Sequence, residues 1–559
     1  MEGEGGGEGE EEAEDAVVLS SRLSRGRRQQ VDVRLTRRVL TWKDVKKTTK
    51  CGNVGFGHFS GTAACHSVQV CEIVAVQDGD GTHPITEPAE GEAVAKQHKK
   101  PHPHAFTVCY VRRSVQHRWL SQDVTFCCSH QGLQQQWITA VQQNLNLLSN
   151  RPRSLLVFIN PHGGRQLAVW IYDRKVAPLL ARAGVSADVI ITERANHARD
   201  HLREQRGNLD KYDGVMCVGG DGMFSEVLHG LVSGTQANHG VDQDLPDARL
   251  VPCSLRIGII PAGSTDCVCY STTGINDPVT SALHIILGDS QPMDVCSVHS
   301  DATFLRYSVS LLGYGFYGDV LANSERNRWM GPLRYDLAGV RTFLSHQYYE
   351  GSVWFVPAPE TQRLPGVREQ CVARCHVCQQ GSCSEKMELK HLSDDEDKFI
   401  KGSGGEWRVV QGKFLAINMA TMSCACPRSP QGLSPSAHLA DGTADLILVR
   451  GCSRFGFFRH LLRHTNADDQ FDHSFVEVHR VRRFRFQPKN QQLCVAPEDP
   501  SGAEKGTKTH TFSPICRAGD EVPAQSTWTC DGEMLPHAAI QVRVQGKLIR
   551  LFARGIEHQ

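Results

Sequence analysis

The sequence predicts a multidomain α+β protein made of three units: a small β unit closed by a helix, an α/β unit with a parallel sheet, and a mostly β unit. Three observations carry that expectation. Short period-two segments run from about residue 30 to 128 and end in a helical pattern. Strand-type and helix-type runs then alternate over 151–292, as in parallel sheets covered by helices on both faces. From about 293 strand-type runs follow one another, interrupted by one helical piece near Arg334–Ser345.

A chain of 559 residues has a soft prior of about three or four domains. Apolar content of 40% and charged content of 22% are ordinary for a globular protein. Lys+Arg and Asp+Glu balance at 61 each, so no net field argues for nucleic acid. The 21 cysteines are irregularly spaced, and the acidic start MEGEGGGEGEEEAED has no apolar core of the kind a signal peptide needs. Glu2 stands where myristoylation needs glycine. Reduced cytosolic thiols are therefore expected, not a disulfide framework. No run approaches the ~18 apolar residues of a membrane span, so any membrane contact is expected to be peripheral.

Taken in order, residues 1–29 read as a disordered tail, acidic at first and then basic at Arg22, Arg25, Arg27 and Arg28. In 30–150, Val31, Val33 and Leu35 alternate, and Val68–Val74, Ala105–Val111 and Val124–Cys127 read as strands. A polar loop near Asp78–His104 carries Lys96, Lys99 and Lys100. Leu133, Trp137, Val141, Leu145 and Leu148 then recur at helical spacing. Arg151-Pro152-Arg153 reads as a linker.

Four strands of the 151–292 unit end in polar or glycine-rich turns. Leu155–Ile159 leads into Asn160-Pro161-His162-Gly163-Gly164, and Val189–Ile191 into Thr192-Glu193-Arg194. Gly214–Val218 leads into Gly219-Gly220-Asp221-Gly222, and Leu255–Ile260 into Pro261-Ala262-Gly263-Ser264-Thr265-Asp266. In such sheets ligands sit beyond the carboxyl ends of the strands. A glycine turn opening a helix is a natural anion site, because backbone N–H groups approach without Cβ interference and the helix dipole favours negative charge. Asp221 is the odd member: a carboxylate beside phosphates repels them unless it binds metal or takes a proton. The alternative at this point is a tight turn with an acidic cap.

The 293–559 unit carries two inserts expected to be mobile, near 357–405 with the acidic run Asp394–Asp397, and near 488–526. Cys371, Cys375 and Cys378, with His376 and Cys383 close by, form a zinc candidate, with free or redox-active thiols as the alternative. Gly313-Tyr314-Gly315-Phe316-Tyr317-Gly318 matches G-x-G-x-x-G, but its surroundings read as β. A close-packed bend near a lipid pocket is expected there, not a dinucleotide site.

Strands closed by one helix with a buried Trp resemble a pleckstrin-homology domain, which implies a β-barrel docking to membrane phosphoinositides or partner proteins through basic loops. Asn160-Pro161-x-Gly163-Gly164, Gly219-Gly220-Asp221-Gly222, Pro261-x-Gly263-Ser264-Thr265-Asp266 and Asp531-Gly532-Glu533 together resemble the diacylglycerol-kinase-type catalytic fold of lipid kinases, over about 151–559. That resemblance implies an α/β nucleotide-binding domain at 151–292 and a β-sandwich lipid-binding domain at 293–559. It implies transfer of the γ-phosphate of ATP, with Mg²⁺, to the primary hydroxyl of a membrane lipid. The pleckstrin-like unit points to the branch that acts on ceramide, with sphingosine or diacylglycerol as other acceptors, at the cytoplasmic side of the plasma membrane or Golgi.

By the same resemblance Asp221 is the general base, and Gly219, Gly220 and Gly222 let substrate approach. Asn160, Gly163, Gly164, Thr192, Arg194, Glu226, Ser264 and Thr265 face the nucleotide. Arg328 and Arg334 neutralise its phosphates, Asp531, Gly532 and Glu533 contact nucleotide or metal, and Asp319 holds the lipid's polar head. One departure stands out. Gln166 and Ala168 replace glycines in the first turn, and Val169-Trp170 stand where basic residues are expected. A Cβ at a positive-φ position costs about 1 kcal/mol or more, which keeps a non-catalytic lipid-binding adaptor as an alternative.

Overall fold

The computed structural model describes residues 16–26, 29–45, 65–79, 102–301, 303–331, 333–359, 371–379, 407–466, 469–489 and 525–557. The acidic start, Arg27 and Arg28, the lysines of the 78–104 loop, Cys383, the run Asp394–Asp397 and the greater part of both inserts lie outside the described residues.

The N-terminal unit is one antiparallel sheet of β1 (Val17–Arg25), β2 (Gln29–Thr36), β3 (Val39–Asp44), β4 (Cys65–Gln69), β5 (Ile73–Asp78), β6 (Ala105–Arg113) and β7 (Trp119–Cys127), followed by α1 (Gln131–Asn146). Its strand order is β4-β3-β2-β1-β7-β6-β5. Trp137, Val141 and Leu145 of α1 are buried against it, with Trp137 stacked on Phe106 at 5.9 Å. The expected tail at 1–29 needs correction, because β1 pairs with β2 along its length, from Val17↔Thr36 to Arg25↔Gln29. After Val17, Val18 and Leu19 its residues are Ser and Arg apart from Leu23, which gives the segment the composition of a tail. Only Leu23 of β1 is fully buried.

The next unit runs β8 (Ser154–Ile159), α2 (Ala168–Ile171), a π-helical turn at Tyr172–Val176, α3 (Ala177–Arg182), β9 (Ser186–Ile191), α4 (His197–Glu204), β10 (Gly214–Gly219), α5 (Asp221–Asn238), β11 (Arg256–Pro261), α6 (Cys267–Thr273) and α7 (Pro278–Leu287). β9, β8, β10 and β11 lie side by side and parallel. Val215, Met216, Cys217 and Val218 are all fully buried, as a strand covered on both faces requires.

The remainder comprises β12 (Gln291–Ser300), β13 (Thr303–Ser308), β14 (Leu311–Gly315), α8 (Phe316–Glu325), α9 (Leu333–Ser345), β15 (Tyr349–Pro357), α10 (His376–Gln379), β16 (Arg408–Ala420), β17 (Ala444–Arg450), α11 (Arg454–Arg463), β18 (Val476–Pro488), β19 (Thr529–Cys530), β20 (Glu533–Met534) and β21 (Ile540–Leu551). Helices α8 and α11 were not expected. Their Phe, Tyr and Val content carries strand propensity, and packing of Phe316 against Phe457 at 4.9 Å holds them helical.

The parallel strands and the later β strands belong to one sheet. The join is β21, which pairs parallel with β11 at Arg256↔Arg550 and Ile257↔Leu551, and antiparallel with β12 and β18. The far end of the chain thus sits beside the strands whose turns carry the glycine motifs.

A second seam links the N-terminal unit to this body. The Trp119 ring stacks on His284 at 3.8 Å, its indole N–H donates to Glu557 at 3.1 Å, and its backbone N–H donates to the Thr280 hydroxyl at 3.0 Å. Removing a buried Trp costs roughly 3–5 kcal/mol. Trp119→Ala is therefore expected to lower unfolding free energy by about that amount, read from denaturant titration; a loss under about 1 kcal/mol would show that the seam is not a structural contact.

Candidate active site

The site is built where the four parallel strands end. Asn160 follows β8, and its side-chain oxygen accepts the His162 N–H at 2.9 Å, closing the first turn. Gly164 has φ +57°, and a Cβ there would lie 2.4 Å from the Ala262 carbonyl oxygen. A Cβ on Gly263 would lie 2.5 Å from both the Gly220 Cα and an Asp266 carboxylate oxygen. The turns after β8, β10 and β11 are thus in backbone-to-backbone contact, a packing only glycine permits. Thr192, after β9, is buried and donates its hydroxyl to the Ile159 carbonyl at 3.2 Å. Ser264 and Thr265 are exposed at the lip of the third turn, as is Gly222 at the start of α5.

Asp221 opens α5. Its carboxylate accepts the N–H groups of Cys267 and Val268, each at 3.0 Å, which are the first residues of α6. Burial raises its proton affinity above the ordinary aspartate value, the charge of Asp531 adds to the rise, and the two amide donors oppose it. Asp266, with φ +53°, accepts the Gly263 N–H at 3.0 Å. Burial and then the charge of Asp221 push its carboxyl up to about 7. Two neighbouring acids with raised proton affinity therefore lie among turns suited to phosphate. Asp266 was not singled out from sequence; its place closing the Pro261–Asp266 turn was the available signal.

The opposite wall comes from the end of the chain. The Asp531 carboxylate accepts five hydrogen bonds: the hydroxyls of Ser308 and Ser310, and the N–H groups of Val309, Ser310 and Leu311, at 2.7–3.0 Å. Four of these donors reach Oδ1 and one, from Val309, reaches Oδ2, so Asp531 braces the β13–β14 turn while its charge reaches Asp221. Gly532 follows it with φ +86°. Glu533 pairs with Arg306, and the same guanidinium donates to Ser225 on α5 at 3.0 Å. Arg306 also leaves its Nε buried without a hydrogen-bond partner. Glu226, the next residue on α5, has its Oε2 buried without a partner, and the charge of Glu533 acts on it. Arg306 is the half-buried cation of this wall. Sequence reasoning missed it because no motif surrounds it.

Other expected residues are not gathered here by any contact. Arg194 is exposed and paired with Asp200 at 2.7 Å. Arg334 pairs with Glu325 at 3.3 Å and lies over the Tyr335 ring at 4.7 Å, on the α8–α9 helix pair. For Arg328 only the backbone, in a short helical turn, is described. Asp319 lies beyond the other end of β14, where its half-buried carboxylate accepts the hydroxyls of Tyr349 and Ser526. The G-x-G-x-x-G segment, expected as a bend among strands, is the end of β14 running into α8.

In the first turn, Gln166 has φ +61°, so the Cβ does fall on a left-handed position. Ala168 does not, because it is buried at the start of α2. Trp170 is exposed, with the Lys175 ammonium 5.5 Å from its ring.

Residues 19–141 match the ceramide kinase PH domain family, 154–298 the diacylglycerol kinase catalytic domain family, and 310–559 the ceramide kinase C-terminal domain family. The chain is 52% identical to a human ceramide kinase over 507 residues, covering 89% of this chain and 90% of that protein. The chain belongs to the ceramide kinase family. A mouse ceramide kinase is 50% identical over 505 residues, covering 89% and 91% of the two chains. A rice ceramide kinase is 30% identical over 542 residues, covering 78% and 83%. Family membership brings a PH-like N-terminal domain and a diacylglycerol-kinase-like catalytic fold into one multidomain α+β chain.

Two expectations follow from this geometry. The folded chain keeps the Asp266 proton to about pH 7, whereas the unfolded chain releases it near the ordinary value of 3.8. The stability this contributes is full below that ordinary value and is lost as pH rises through about 7. Asp266→Asn should therefore flatten the fall in unfolding free energy across that window; an unchanged slope would show that Asp266 titrates normally. Separately, Gln166→Gly relieves roughly 1–2 kcal/mol of left-handed strain against roughly 0.5–1 kcal/mol of added chain entropy. A net gain of about 0.5–1 kcal/mol is expected by denaturant titration, and destabilisation would show that the Gln166 side chain is needed.

Proposed function

We propose that this chain transfers the γ-phosphate of ATP to the primary hydroxyl of ceramide, giving ceramide 1-phosphate, with Asp221 as general base. The observation that carries the reading is the carboxylate of Asp221: half-buried, raised in proton affinity, and set among three glycine turns at the ends of parallel strands. Phosphoryl transfer needs positioning and charge neutralisation more than covalent help. Asn160, Gly163 and Gly164, with Ser264 and Thr265, offer N–H and hydroxyl donors to the nucleotide phosphates, and Thr192, Arg194 and Glu226 flank it. Gly219, Gly220 and Gly222 leave room for the acceptor hydroxyl, whose proton passes to Asp221. The N–H groups of Cys267 and Val268 fix the direction of that carboxylate. Arg306 supplies positive charge from the second wall.

A hard dication such as Mg²⁺ suits the donor set, since Glu226 Oε2 is buried without a partner and Glu533 acts on it by charge. When bound, Mg²⁺ neutralises charge on the transferring phosphate, and Glu226 and Glu533 are the residues to hold it. On this reading 151–292 binds nucleotide and 293–559 completes the ATP and lipid sites as a β-sandwich. Residues 30–150 form a barrel that docks to phosphoinositides of the plasma membrane or Golgi from the cytoplasm.

An apolar stripe supports access from a membrane. Leu333, Leu337, Val340 and Leu344 share one face of α9 at helical spacing and are exposed, and Trp329 just before them is 83% exposed. Phe343 of the same helix packs on Phe457 and Phe458 of α11 at 6.2 and 6.0 Å, so the stripe is held outward. No helix among the described residues is long and apolar enough to cross a membrane, which fits contact along a surface. The adaptor reading draws on the altered Gln166–Trp170 segment, in which Gln166 strains the nucleotide turn at φ +61°.

The deciding assay offers ceramide, sphingosine and diacylglycerol in mixed micelles with labelled ATP and Mg²⁺. Ceramide should be the preferred acceptor, and Asp221→Asn should lower turnover by about 10²–10⁴-fold. Transfer surviving in Asp221→Asn would remove the base assignment, and no transfer by the unaltered protein would favour the adaptor. Leu337→Glu with Val340→Glu should weaken vesicle binding about tenfold or more with unchanged circular dichroism; unchanged binding would remove α9 from the membrane face.

A further inference from the structure

Three cysteines of one short segment meet a histidine from a distant loop. Cys371, Cys375 and Cys378 are half-buried and unoxidised, and His438 is buried in the loop before β17. The four candidate ligand atoms all lie within 4.8 Å of one another. The Cys371 and Cys378 sulfurs are 3.8 Å apart, and His438 Nε2 is 3.2 Å from the Cys375 sulfur and 4.0 Å from that of Cys378.

These separations can be compared with a closed tetrahedral site. Zinc–sulfur bonds of about 2.3 Å and zinc–nitrogen bonds of about 2.0–2.1 Å give edges of about 3.8 Å between sulfurs and about 3.5 Å between sulfur and nitrogen. The observed spacings bracket those edges. We propose that Cys371, Cys375, Cys378 and His438 hold one zinc-class dication in a closed structural site. His376, which sequence reading placed with the cysteines, is not in the cluster. The ligand that completes it lies 60 residues beyond Cys378.

The surroundings suit a permanent site. The cysteine segment is pinned by the Ala373 N–H donating to the Ile556 carbonyl at 2.8 Å, and Gln291 donates to the Cys371 sulfur at 3.4 Å. His438 is placed by its own loop, whose Leu439 carbonyl accepts the Asp294 N–H at 2.7 Å. Four protein ligands leave no open position, so the cation has no catalytic coordination site. Loading releases the three thiol protons, because thiolates are the ligands. The Ala440 N–H donates to His438 Nδ1 at 3.0 Å, an arrangement of the metal-free tautomer with its proton on Nε2 toward Cys375. On loading, that proton moves to Nδ1 and the Ala440 contact is given up. The site clips the 371–379 segment to the loop that also carries Ala425, whose N–H donates to Ser271 on α6 at 3.1 Å. Helix α6 in turn holds Asp221.

The test uses the full chain purified without added metal and reads metal content, not activity, so it stands apart from the kinase reading. Elemental analysis should find about one zinc per chain in the unaltered protein and in Asp221→Asn. Cys375→Ser should lose it, and His438→Ala should surrender it to a chelator about tenfold faster or more. Zinc retention unchanged in His438→Ala would overturn the fourth ligand. Should Cys375→Ser fail to fold, exchange of cobalt(II) into the unaltered protein decides: intense thiolate-to-cobalt absorption supports the site, and its absence overturns it. Unaltered protein free of zinc, with all three thiols alkylated rapidly in the native state, would likewise overturn the proposal.

Discussion

The contact on which the rest depends is the carboxylate of Asp221 held against the first two N–H groups of α6. It ties the turn after β10 to the turn after β11, and it forces a charged group into a place where burial disfavours its charge. A carboxylate in that position keeps its proton to higher pH than an exposed one, which brings it closer to what a base for a lipid hydroxyl requires. The glycines around it serve the same end. With a Cβ on Gly164 or Gly263 the three turns would separate, and Asp266, whose proton affinity burial and the charge of Asp221 raise, would leave its amide partner.

The second constraint is topological. β21 carries the end of the chain into the sheet beside β11, so Asp531 and Glu533 reach α5 although more than 300 residues separate them in sequence. Asp531 works there by bracing the β13–β14 turn and by its field, Glu533 by pairing with Arg306. Substitutions around β21 therefore act on the site without touching substrate, through the register of one strand.

Much of this was legible in the sequence, and the exceptions have physical reasons. The apolar runs of β8, β10 and β11, their glycine turns and the Trp137 helix are local patterns, and they fold as their spacing indicates. Strand β1 was hidden because its residues after Leu19 are Ser and Arg apart from Leu23. Helices α8 and α11 were hidden because aromatic packing overrides the strand propensity of their residues. Asp266, Arg306 and His438 carry no local signature: the first takes its character from burial beside Asp221, the second from a partner on α5, and the third from a segment 60 residues away. The substituted first turn was read correctly at Gln166, which does sit at positive φ, and incorrectly at Ala168, which begins a helix.

The central claim is that Asp221, beside Asp266, is a base whose proton affinity the fold has raised. The pH dependence of kcat/KM for ceramide phosphorylation, taken at saturating ATP, tests it most directly. Activity should fall on the acid side as Asp221 takes up its proton, with a limb displaced above the ordinary aspartate value of 3.8. A limb at the ordinary aspartate value would contradict the account.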